Sequence, residues 1–264
     1  AGFHLGASGT ALATVISQGL SMFLGIAYLK RHAFLFDFKP ASFRIARPMA
    51  KELARVGIPI SFQELMVRIS FLYLTAVMNG CGVYAAAVVG IGAKYDVFSM
   101  LSATSVANAL AALTAQNTGA GKPARAWRSL WYGLAFAPGA AFVFWTWAQW
   151  NPESMIRLFS DDPGVIAAGV PYFRACSYDY LMVAFVFCLN GYLNGRSKTL
   201  WTMVSCTCGA LFLRIPLVWY VGNHFAQDLG MLGTVAPVVS GMMAAYTLLY
   251  VLWEGRKQRV FRGN

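Results

Sequence analysis

Seven stretches of about 20 apolar residues, each long enough to cross a bilayer core about 30 Å thick, govern what this chain of 264 residues can fold into. They cover roughly residues 5–29, 56–78, 84–114, 129–150, 170–193, 199–221 and 229–253. In lipid a backbone must satisfy its own N–H and C=O groups, so stretches of this length fold as helices. The expected fold class is therefore all-α: a polytopic transmembrane helix bundle of seven spans. Composition points the same way, with 58% of residues apolar and 12% charged, against about 25% charged in a soluble domain. One soluble core of this size could not bury such an apolar excess.

The segments between the stretches alternate in charge. Lys30, Arg31, Lys39, Arg44, Arg47, Lys51 and Arg55 follow the first span, and the next connection, 79–82, carries no charge. Lys122, Arg125 and Arg128 come next, then the mixed set Glu153, Arg157, Asp161 and Asp162. Arg196 and Lys198 precede a connection holding Asp228, and the tail carries Arg256, Lys257, Arg259 and Arg262. Basic loops stay on the cytoplasmic side, so the first residue is expected outside and the C-terminus inside, as seven spans require. The net charge of +11 is then that of loops at an anionic membrane surface. No soluble segment presents a basic face for nucleic acid, and none is expected as a partner.

Residues 31–55 form the longest polar connection. Within it, Pro48–Arg55 reads as an amphipathic helix lying on the membrane surface. This divides the chain into a lone span (1–30), a cytoplasmic connector (31–55) and a six-helix lobe with its basic tail (56–264). Ala1–His4 lack the basic start of a signal peptide, so we expect a piece of a longer protein. Cys81, Cys176, Cys188, Cys206 and Cys208 form no disulfide framework. The Cys206-x-Cys208 pair lies in an apolar run without nearby histidine, and reads as soft core residues rather than a metal site. His4, His32 and His224 fall at span ends or in loops, so no catalytic cluster is expected at depth and no enzyme. Trp145, Trp147 and Trp150 read as an interfacial aromatic belt.

Ionisable residues within the spans carry the functional signal, because each costs at least about 2.5 kcal/mol at mid-helix unless it faces an interior or a wet cavity. These are Glu64 and Arg68, Lys94 and Asp96, Arg174 and Asp179, and Arg214. At about 1.5 Å per residue, Asp179 and Arg214 lie roughly 12–14 Å from the outer ends of their spans. Arg68 and Lys94 lie about 15–17 Å deep, and Asp96 and Glu64 about 20–21 Å. Four helices thus carry charges into one slab near the midplane, with Glu64, Asp96 and Asp179 nearly balanced by Arg68, Lys94 and Arg214. Glu64 and Arg68 are spaced to pair on one helix face, whereas Lys94 and Asp96 each need a partner on another helix. Such pairs can simply fix packing. Alternatively, a midplane carboxylate can bind H⁺ or Na⁺. Asp179 is the first candidate: Cys176, Tyr178 and Tyr180 surround it in sequence, and Asn190 and Asn194 follow.

Four segments resemble the multidrug and toxic compound extrusion (MATE) family. Gly9-Thr10-Ala11-Leu12-Ala13-Thr14-Val15-Ile16-Ser17-Gln18 is similar to its sixth helix, and Gly57-Ile58-Pro59 to the opening of its seventh. Gln116-Asn117-Thr118-Gly119-Ala120-Gly121-Lys122 resembles the turn after its eighth. Asn190-Gly191-Tyr192-Leu193-Asn194-Gly195, followed by Leu213-Arg214-Ile215-Pro216, resembles the tenth and eleventh. The resemblance implies helices six to twelve of a two-lobed, twelve-helix transporter in a bacterial inner membrane. The partner would be the missing N-terminal lobe of the same polypeptide.

It also implies export of cationic or aromatic small molecules in exchange for H⁺ or Na⁺ by alternation of the lobes, with no cofactor. Asp179 and Glu64 match the family's tenth- and seventh-helix acids, Arg68 beside Glu64 being a departure. Ion coupling is then expected at Asp179, Glu64 and Asp96, and charge balance from Arg68, Lys94 and Arg214. Tyr73, Tyr95, Phe98, Tyr180 and Asn190 are candidates to line the substrate cleft. The rivals are a lipid-linked oligosaccharide flippase, which would want a cationic cleft for phosphates, and an inactive half-transporter.

Overall fold

The computed structural model describes residues 6–31, 46–225 and 228–260. Its helices are α1 (Gly6–Arg31), α2 (Arg47–Gly80), α3 (Val83–Gly119), α4 (Pro123–Phe136), α5 (Pro138–Trp150), α6 (Pro152–Arg157) and α7 (Pro163–Gly195). Then come α8 (Thr199–Cys208), a π-helical segment (Gly209–Arg214), α9 (Ile215–His224) and α10 (Leu229–Val260). The chain divides into two units, Ala1–Glu52 and Leu53–Asn264. The first contains α1, apolar on all sides and without an acid in its first turn.

Among the described residues, six helical segments are long and apolar enough to cross a membrane. The remaining expected span, 129–150, is built from α4 and α5. Pro138 has no N–H to donate and its ring crowds the preceding turn. Ala137 nevertheless keeps helical dihedrals (φ −60°, ψ −38°) and donates to the Gly133 carbonyl. The two pieces therefore continue as one kinked rod, roughly 40 Å long at about 1.5 Å per residue.

Residues 47–55 of the expected connector are helical and form the first turns of α2, a helix that also contains Pro59. Pro48 sits at the second residue of the helix, where its missing N–H costs nothing. The other part of the expected connector, 32–45, lies outside the described residues.

In the second unit α7 is the central helix, packed along α3 and α10 and more briefly on α5, α6, α4 and α8. Helices in lipid gain little from hydrophobic burial against one another, so close van der Waals packing by small residues matters most. The α3–α7 seam is made this way. Gly191 lies against the backbone of Ala107, and Gly195 against the backbone of Ala111 and the side chain of Thr114. Around the seam sit two apolar clusters. One holds Tyr95, Tyr172, Phe173, Met155 and Val239. The other holds Leu110, Leu130, Cys188, Leu193 and Val251.

At the end of α7 the chain reverses through Ser197, a non-glycine residue at φ +58°. The turn is held by the Lys198 N–H on the Leu193 carbonyl and by the Thr202 hydroxyl on Asn194 Oδ1. Glu254 of α10 fastens it, meeting Arg196 at 3.3 Å and Lys198 at 3.7 Å. Arg196 also donates to the Tyr192 hydroxyl, and Trp201 stacks on Tyr250 with centroids 3.9 Å apart. Glu254 and Arg196 are almost fully enclosed, so removing Glu254 leaves the Arg196 guanidinium without its carboxylate. Glu254→Ala is expected to cost on the order of 3 kcal/mol, read as a lower thermal midpoint in detergent. The double variant Glu254→Ala/Arg196→Ala should recover part of it. An unchanged midpoint in the single variant would show that this pair does not hold the turn.

Candidate functional site: a buried acid–guanidinium cluster

α7 carries Asp179 into the middle of the lobe, where it is 4% exposed and its Oδ1 has no hydrogen-bond partner. Ser240 of α10 lies beside it, and Asp96 of α3 is within electrostatic reach. The Tyr180 side chain is fully enclosed, with its hydroxyl near Asp96 but without a well-formed hydrogen bond. Arg214 enters from the end of the π-helical segment. It too is 4% exposed, and both acids lie within its electrostatic reach. Yet among the described residues no carboxylate comes within ion-pairing distance of it.

The partners of Arg214 are on α2 instead. Its Nη1 donates to the Ser70 hydroxyl at 3.2 Å, and the guanidinium lies 4.1 Å from the centre of the Phe71 ring. Its Nε is buried without a partner. Local sequence explains this aim. Pro216 follows one residue after Ile215 and removes an N–H from the helix ladder. The preceding turn widens to the π pattern over Gly209–Arg214. At Gly209, where the widened turn starts, the missing side chain leaves room for Met243 of α10, which a Cβ would displace. Such π-bulges occur mostly as single turns and often at functional sites.

Of the residues singled out from sequence, the fold brings Asp179, Asp96, Tyr180 and Arg214 together. Asn190 lies further along α7, buried, donating to Cys206 Sγ at 3.3 Å while its Oδ1 is unpartnered. Cys206 is also within electrostatic reach of Glu64 and Arg214. Glu64 and Arg68 are exposed on α2 and, despite their spacing, form no ion pair with each other. Lys94 is exposed, turned away from Asp96 as the spacing of two requires. Phe98 is exposed, and Tyr73 is half-buried against the core. Tyr95 is a core residue rather than an open wall. It is 4% exposed, bonds to the Met155 carbonyl at 2.9 Å and packs edge-on against Phe144, Trp147, Phe159 and Phe173.

Sequence reasoning did not anticipate Ser70, Phe71, Ser240 or the π-helical segment. Pro216 in mid-span, with Gly209 two turns earlier, was the available signal. Among the described residues, no three His, Cys, Asp or Glu side chains converge in a way that could hold a metal ion. Arg174 lies at the mouth of an open groove of about 510 Å³ with Gln149, Tyr178 and Asp228, away from the acid cluster. Cys206 is buried and Cys208 exposed, so the C-x-C pair presents no shared face.

Long apolar helices around a charged interior define an α-helical polytopic membrane protein. The MatE family profile matches residues 59–220, and the chain belongs to that family. It is 25% identical over 222 residues to the probable multidrug resistance protein YpnP of Bacillus subtilis, covering 81% of this chain and 48% of that one. It is 24% identical over 269 residues to the probable multidrug resistance protein NorM of Thermotoga maritima, covering 96% and 55%. The chain thus spans about half the length of the curated relatives it matches. A crystal structure of MATE in complex with MaL6 superposes with a TM-score of 0.84 at 17% identity, over 99% of this chain and 59% of that one.

Proposed function

We propose that this chain forms part of a secondary efflux transporter that exports cationic or aromatic small molecules in exchange for H⁺ or Na⁺. The observation that carries the reading is the cluster of the buried Asp179 and Arg214 with the half-buried Asp96. Two carboxylates face one guanidinium, so the fully ionised cluster is one positive charge short of neutrality. Buried charge is tolerated when it is neutralised, and one H⁺ or one Na⁺ would do so. Asp179, with an unpartnered oxygen at the centre of the lobe, is the coupling acid, and Asp96 shares its field. Glu64, on the exposed face of α2, is the second candidate to bind the ion or a cationic substrate. The family relationship supports the same reading, since several relatives carry multidrug-resistance names.

The chain works, in this proposal, with an N-terminal lobe, in a bacterial inner membrane with its C-terminus in the cytoplasm. The test is ethidium efflux from an efflux-deficient bacterium expressing the chain together with that lobe, under imposed pH or Na⁺ gradients. Asp179→Asn is expected to abolish gradient-driven efflux at unchanged membrane abundance. Efflux that persists in the variant would remove Asp179 from the ion site. A well-inserted wild type inactive toward several cationic dyes would overturn the multidrug reading.

A further inference from the structure

We infer that Arg214 is a positioning residue that exchanges between two partners, Ser70–Phe71 on α2 and the Asp179 carboxylate on α7, and so ties ion occupancy to the attachment of α2. The inference rests on the transport reading, but on different contacts within it. The part of α2 that lies in the second unit is joined to the rest of that unit through side chains more than through close backbone packing. Along its outer half Leu74 and Met78 enter the core, and Val77 reaches Gly222 of α9. Among the described residues, the polar fastening of α2 is Arg214, through the Ser70 hydroxyl and the Phe71 ring.

Arg214 and Asp179 each keep one buried polar atom without a partner, a donor Nε and an acceptor Oδ1, within electrostatic reach of one another. An ionised carboxylate left unpaired in such a place is costly. The observed arrangement therefore fits a neutralised Asp179, with Arg214 resting on α2. Loss of the neutralising ion creates a full charge that attracts the guanidinium. Moving toward it, Arg214 leaves Ser70 and Phe71, and among the described residues α2 is then held by apolar contacts. The other groups facing this pair are Asp96 and Tyr180, Ser240, Cys176 and, next to Arg214, Cys206 with Glu64 beyond. Of these Asp96 competes for Arg214, which keeps the exchange near balance.

Proximity of α2 and α9 reports the exchange. Cysteines at Val77 and Gly222, in the full transporter with the five native cysteines of this chain and any in the other lobe replaced, should form a disulfide when α2 is fastened. The rate of cross-linking is measured in liposomes without a gradient, at a pH where Asp179 is free to ionise and without Na⁺. Asp179→Asn mimics the neutralised acid and is expected to raise the rate about tenfold, within the usual range of coupling between sites. Adding Arg214→Gln should erase the difference that Asp179→Asn makes, and Arg214→Lys should keep part of it. If the Gln variant does not insert, the Lys variant decides: an undiminished tenfold effect there would count against a guanidinium-specific exchange. A rate unaffected by Asp179→Asn, or an effect that survives Arg214→Gln, would overturn the proposal. Either failure is separate from the efflux assay, which tests Asp179 as the coupling acid without reference to α2.

Discussion

Gly195→Leu is expected to prevent assembly of the six-helix lobe. A Cβ at this position would run into the Ala111 carbonyl oxygen, with the Thr114 side chain close behind. At Gly191 the nearest atoms to a new Cβ are the carbonyl oxygen, carbonyl carbon and Cα of Ala107, all backbone. No rotamer change can relieve a clash with backbone, so α3 and α7 would have to separate along their seam. The cost should sit at or beyond the upper end of the ~1–3 kcal/mol typical of overpacking, with Gly191→Val close behind. Size-exclusion profiles and melting midpoints in mild detergent provide the measurement. Gly90→Ala is the matched control, because a Cβ there meets nothing within 4 Å. It should be neutral or gain up to about 1 kcal/mol from better helix propensity. A monodisperse Gly195→Leu protein with an unchanged midpoint would show that the seam is looser than this packing indicates.

Tyr95→Ala is expected to produce the next largest loss of stability, about 3–5 kcal/mol by analogy with other large aromatic truncations. The ring fills a space bounded by four aromatic neighbours, with centroid distances from 5.6 to 6.3 Å. Its hydroxyl also satisfies the Met155 carbonyl of α6. Tyr95→Phe separates the two effects. It keeps the ring and loses only the hydrogen bond, a loss of about 1 kcal/mol. Melting midpoints of the three proteins would establish the ranking. A Tyr95→Ala protein that melts like the wild type but changes its dye preference would return Tyr95 to the substrate cleft.

Much of this architecture is legible in the sequence, and the limits have physical causes. Spans are readable because lipid demands both length and apolarity, and all seven expected segments are helical. The span at 129–150 is divided because Pro138 kinks a rod without ending it, and hydropathy does not register a kink. Pro48–Arg55 reads as a surface helix because its polar residues interrupt the apolar run. The helix nevertheless continues, because helical hydrogen bonding does not depend on polarity.

Depth along a helix is also legible, since rise per residue is constant; it set six charges in one slab, of which the fold brings Asp179, Asp96 and Arg214 within electrostatic reach and leaves Glu64, Arg68 and Lys94 exposed. Rotation about the axis is not, because it is set by neighbours. Glu64 and Arg68 have the right spacing to pair and do not. Tyr95 looks like a cleft aromatic and is enclosed. The link from Arg214 to Ser70 and Phe71 was hidden for a further reason. It depends on one widened turn, which shifts the facing of every residue beyond it.

That widened turn has a dynamic consequence. A π-helical turn accommodates one residue more than an α-helical turn of the same pitch, so Gly209–Arg214 holds surplus chain inside an otherwise continuous rod. If the surplus passes along the helix, each residue it crosses turns by about 100° while the rod keeps its length and most of its hydrogen bonds. A side chain can thereby change the direction it faces in a discrete step, without the helix unwinding. Pro216 marks one end of the segment in which such a step can begin.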